Sequence, residues 1–98
     1  MRFGAYLFYI RQKKKISSIQ FSARSGYARS TLREIERGTC LPPSEYDIKT
    51  ICDVLIVTPK QRKMLFRLAL QAHIDKVRRR YKGVWPDVAK AVLKQNIA

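Results

Sequence analysis

Three features of the chain predict an all-α fold. Apolar residues recur at three- and four-residue spacing in five successive segments, and capping and breaking residues fall between those segments. No run alternates apolar and polar residues as a half-buried strand does. Leu55-Ile56-Val57 comes nearest, and it is too short to outweigh the helical pattern around it.

The first helix is read from Phe3, Leu7 and Ile10, with Tyr6 and Phe8 broadening its apolar stripe before charge takes over from Arg11 to Lys15. Ser17 or Ser18 can cap a second helix whose inward residues are Phe21, Ser22 and Ser25. Gly26 ends it, because glycine adopts a left-handed backbone at little cost. From Ala28 to Arg37 runs a third helix in which Leu32, Ile35 and Glu36 share one side, leaving Arg29, Ser30, Arg33 and Arg37 outward until Gly38 stops it. Pro42 and Pro43 then fix a rigid connector that bars helix continuation.

Ser44, with Asp47 three residues on, resembles a capping box in its Asp variant and opens a fourth helix that buries Ile48, Ile51, Cys52 and Leu55. Thr58 caps the fifth, with Pro59 at the first helical position, where its missing N–H does no harm. Met64, Leu65, Leu68, Ala69 and Ala72 supply its buried stripe. After the basic run VRRRYKG comes a short sixth helix beginning near Pro86 and burying Val88, Val92 and Leu93.

At 98 residues the chain has room for one domain with a small core, and its 46% hydrophobic content is that of a globular protein. Charge is the outlier. Lys and Arg number 21 against 7 Asp and Glu, a formal net charge of +14. Such a field attracts polyanions, over a Debye length of about 8 Å at physiological salt, which points to nucleic acid or an anionic surface. A membrane anchor would need a bulky apolar face beside the basic run, and no stretch approaches the ~20 apolar residues of a span.

Cys40, Cys52 and His73 are too few soft ligands for a four-ligand zinc site, so no metal and no cofactor is expected. Both cysteines are read as free thiols, Cys52 in the core and Cys40 in a loop where a redox role is conceivable. With one histidine, no carboxylate pair at useful spacing and no phosphate-cradling glycine loop, an enzyme is not expected. The N-terminus lacks the features of a secretory signal, and the expected compartment is the cytoplasm, in association with the nucleoid.

A helix, a tight turn at Gly26 and a second helix at a steep angle form a helix-turn-helix unit, whose second helix can enter the major groove of B-DNA. Arg29 and Ser30 lie at the leading end of that helix and Arg33 one turn later on the same face. Arginine bonds guanine O6 and N7 bidentately, so Arg29, Ser30 and Arg33 are the candidate base readers. Ser17, Ser18, Thr31, Arg37, Thr39, Lys13, Lys14 and Lys15 are candidate phosphate contacts, which orient a protein without reading sequence.

From Phe3 to about Val57 the chain resembles the phage Cro/repressor (Xre-type) helix-turn-helix family. FGAYLFYIRQKKKIS followed by FSARSGYARSTLREIERGTCLPPS carries that family's FG start, an Arg near the end of the first helix, helix-Gly-turn-helix, then IERG and a proline-containing loop. The resemblance implies a five-helix repressor-like helix-turn-helix domain, placed at residues 1–72, with a basic linker and short C-terminal helical extension at 73–98. It also implies a largely buried ion pair between Arg11 and Glu36. Three residues depart from the family pattern: Ser18 where many members have Gln, Lys15 where Gly is common, and Ala28 where Ser or Thr usually caps the third helix.

The expected function is a sequence-specific regulator of transcription, a repressor that occupies double-stranded DNA. A homodimer would match paired half-sites, with Met64, Phe66 and Trp85 as candidate contacts; no small-molecule effector is evident. The alternative is an antitoxin-like or phage-encoded regulator whose C-terminal part binds another protein and whose DNA contact is secondary.

Overall fold

The computed structural model describes residues 1–81. Among them are five helices and no strand: α1 (Phe3–Lys13), α2 (Ser18–Ser25), α3 (Arg29–Arg37), α4 (Glu45–Leu55) and α5 (Pro59–Arg80). The expected sixth helix, with Trp85, Val88, Val92 and Leu93, lies outside the described residues.

One core holds the helices together. Phe3, Leu7 and Ile10 of α1, Phe21 of α2, Leu32 and Ile35 of α3, Ile48, Ile51, Cys52 and Leu55 of α4, and Leu65 and Ala69 of α5 are buried in a single cluster. Within it α3 packs against α1 and α2, α4 against α2 and α5, and α5 against α1. At Gly4, α1 presses directly on the last turn of α3. A Cβ there would stand 2.1 Å from the Ile35 carbonyl oxygen and 2.6 Å from that of Glu36, far inside van der Waals contact.

Two apolar residues leave the stripes expected of them. Phe8 is 44% exposed and Met64 38% exposed. Each directly neighbours a fully buried leucine, Leu7 or Leu65, and one residue along a helix is a rotation of about 100°, enough to carry a side chain off the core face. The basic run is also resolved differently from a linker. Val77–Arg80 completes α5, with Tyr81 as its C-cap, and Lys82 and Gly83 of the run lie outside the described residues.

Helix ends show which sequence signals carried through. Ser17 caps α2 in a reciprocal box: its hydroxyl accepts from the Gln20 N–H at 3.1 Å, while the Ser17 N–H donates to Gln20 Oε1 at 2.9 Å. Thr58 and Gln61 make the same exchange at the start of α5. The Ser44 hydroxyl accepts from the Asp47 N–H at 3.3 Å, but the Asp47 carboxylate does not return to the Ser44 backbone. It accepts the Ser44 hydroxyl proton at 3.0 Å and is also engaged by Tyr27.

Candidate nucleic-acid interface

The turn between α2 and α3 sets where α3 begins. Gly26 takes φ 79°, the left-handed conformation that closes α2 through its N–H to the Ser22 carbonyl. Tyr27 then fixes the turn from both sides. Its carbonyl accepts from Ser22 Oγ at 2.6 Å, its N–H donates to Ser25 Oγ at 3.3 Å, and its phenol donates to Asp47 Oδ1 on α4. Burial, then the hydrogen bond to the Asp47 carboxylate and its charge, push the Tyr27 phenol up to about 12. No signal in the sequence pairs residues 27 and 47; only the packing of α2 on α4 does.

The inner side of α3 is anchored by Leu32, Ile35 and a charge pair. Arg11 Nε donates to Glu36 Oε2 at 2.7 Å and Nη2 to Oε1 at 3.0 Å, a fork that ties α1 to α3. The remaining Nη1 donates to the Ile16 carbonyl at 2.9 Å. Arg11 is only 6% exposed, and its burial is compensated by these bonds. Phe8 covers one side of it, with the Arg11 guanidinium carbon 5.2 Å from the ring centroid.

That anchoring turns the other side of α3 outward. Arg29, Ser30, Thr31, Arg33 and Arg37 are all exposed. Arg29, Arg33 and Arg37 follow at four-residue spacing and, with Phe8 and Ser18, line a cleft of about 290 Å³ along α3. Arg29 Nη2 donates to Ser18 Oγ at 3.4 Å, so the first arginine of the stripe leans on the start of α2. Ala28 offers no side-chain cap to α3. Its leading N–H groups, at the positive end of the helix dipole, therefore accompany the cations of the stripe.

The remaining candidates fall into three places. Ser17 and Ser18 stand at the start of α2 beside Arg29, and Ser17 keeps its hydroxyl proton free of the cap it accepts. Thr39 follows α3, with its hydroxyl donating to the Glu34 carbonyl at 3.2 Å. The lysine run closes α1: Lys13 Nζ lies 5.6 Å from the centre of the Tyr9 ring, and Lys14 Nζ donates to the Ile56 carbonyl at 3.1 Å, at the end of α4. Lys15 has φ 55°, a left-handed backbone, which accounts for glycine being usual at this turn. Phe8 was missed by sequence reasoning because its apolar character assigned it to the core, although the three- and four-residue spacing of Phe3, Leu7 and Ile10 leaves Phe8 about 100° away from Leu7.

Among the described residues no group of His, Cys, Asp or Glu could hold a metal ion, and no helix is long and apolar enough to cross a membrane. Cys40 is exposed and Cys52 buried, both as free thiols. Burial pushes the Cys52 thiol up, away from the reactive thiolate.

A family model for a helix-turn-helix matches residues 7–61, a span from α1 into the first turn of α5 that contains the turn, α3 and the Arg11–Glu36 tie. No curated protein and no solved structure matches the chain. The matched span covers more than half of the protein, and the chain belongs to the helix-turn-helix family of the phage Cro/repressor (Xre) type, whose members bind double-stranded DNA and regulate transcription.

Proposed function

We propose that this regulator is sequence-specific and acts as a repressor, occupying its operator with α3 in the major groove. The observation that carries the reading is the division of α3. One side is held by Leu32, Ile35 and the Arg11–Glu36 fork, while Arg29, Ser30 and Arg33 stay exposed on the other. Arg29 and Arg33 are one turn apart, about 6 Å along the helix axis. That is close to two base steps of about 3.4 Å, so the pair can address two guanines separated by one base. Ser30 is short enough to accept or donate at the base between them.

Phosphate contacts frame this reader. Ser17, Ser18 and the uncapped start of α3 meet one strand; Thr31, Arg37, Thr39 and the lysines Lys13, Lys14 and Lys15 supply further backbone contacts. Two copies bound to half-sites about 34 Å apart would occupy an inverted repeat as a homodimer, in the cytoplasm.

Selection of bound fragments from random duplex DNA tests the reading. An inverted repeat with paired guanines in each half is the expected product. Arg29→Ala and Arg33→Ala should each lose about 1–3 kcal/mol on the selected site and relax preference at one position. Equal binding of all duplexes by the unaltered protein would sink the operator reading.

A further inference from the structure

Positive charge gathers at a second place, outside the segment that matches the family. The last turns of α5 carry Lys76, Arg79 and Arg80 at i, i+3 and i+4, one face of the helix, and all three are exposed. Arg79 lines a groove of about 210 Å³ together with Arg2 at the chain's start and Gly38 and Cys40 just after α3. The floor of this groove is apolar, from Phe3, Ile35 and Ala72. Its one acid, Asp75, accepts a hydrogen bond from Gln71 Nε2 at 2.9 Å. Arg2 and Arg79, on two elements far apart in sequence, thus converge on the C-terminal end of α3, whereas Ser18 and Arg29 stand at its N-terminal end.

A helix lying in the major groove has a phosphate row on each side. With its side chains α3 is about 10–12 Å across and the groove is about 12 Å wide, so a phosphate row runs close along each flank of α3, within reach of cations that stand beside its last turn. We infer that Arg2 and Arg79, continued by Lys76 and Arg80 along α5, form a second DNA-backbone contact that grips the phosphates at the C-terminal end of α3. The contact lengthens the footprint beyond the helix-turn-helix unit and adds affinity without adding sequence information. It rests on α3 being the groove helix.

The test is DNA affinity measured from 50 to 200 mM salt for the full chain, Arg2→Gln, Arg79→Gln and the double variant, on a selected duplex and on a scrambled one. Each lost phosphate contact should lower the slope of log affinity against log salt by about 0.9, equally on both duplexes, and leave the selected sequence unchanged. Ethylation interference should show phosphates at one flank that matter to the unaltered protein and not to the double variant. Both arginines are exposed, and matching melting curves establish that the variants are folded.

An unchanged slope and an unchanged interference pattern in the double variant would overturn the inference. So would a changed selected sequence, since the residues would then read bases. Loss of the selected site in Arg29→Ala, with the slope still falling in Arg79→Gln, separates the two readings. If the unaltered protein shows no sequence preference, the operator reading fails while the slope still decides the backbone contact.

Discussion

Gly4 and Tyr27 hold α3 from opposite ends. At the far end, the missing side chain of Gly4 lets α1 meet the Ile35 and Glu36 carbonyls. Backbone cannot step aside as a flexible side chain can, so Gly4→Ala must push α1 and α3 apart. It should destabilise the protein by about 3 kcal/mol, at the upper end of overpacking costs, as read by urea denaturation. At the near end, Tyr27 and Asp47 join the turn to α4. The Tyr27 phenol is raised to about 12, against about 10 in the unfolded chain, so the folded state holds its proton more tightly. The stability this contributes is complete below pH ~10 and is lost as pH rises toward ~12. Tyr27→Phe should therefore be less stable than the native protein at neutral pH, and the gap should close between those two values in denaturation series at fixed salt.

Helix boundaries were legible where a side chain completes a local exchange and obscure where the partner is remote. Ser17 with Gln20 and Thr58 with Gln61 close their boxes within one turn. Asp47 had the right spacing from Ser44, yet its carboxylate serves Tyr27, twenty residues away, which no local rule anticipates. Helix α3, like α1, starts without a side-chain cap, with Ala28 at φ −62° and ψ 144°, the extended geometry a capping serine adopts. Ala28→Ser should raise stability by about 1 kcal/mol, a rise of about 4–8 °C in Tm measured by circular dichroism. The end of α5 was misread for a related reason. A run of Arg and Lys lacks apolar spacing, but these residues have good intrinsic helix propensity and extend a helix already nucleated on the core.

For the molecule as a whole, thiol chemistry reports whether the core opens as one unit. Cys40 is exposed, whereas Cys52 is 2% exposed inside the cluster that joins all five helices. One thiol per chain should react promptly with a disulfide reagent in native buffer. The second should react only as fast as the core opens, and its rate should track added denaturant. Fast reaction of both without denaturant would show that α4 leaves the core independently.

The amino-acid sequence by itself determined the helices, the break at Gly26 and the outward run Arg29, Ser30, Arg33, because periodicity, caps and breakers act within a few residues. Tertiary structure decided what holds that run in place. Gly4 against α3, Tyr27 on Asp47 and the lining of one groove by both Arg2 and Arg79 bring together residues distant along the chain. Such contacts depend on how helices pack, and packing follows from the shapes of all the buried side chains together rather than from any one stretch.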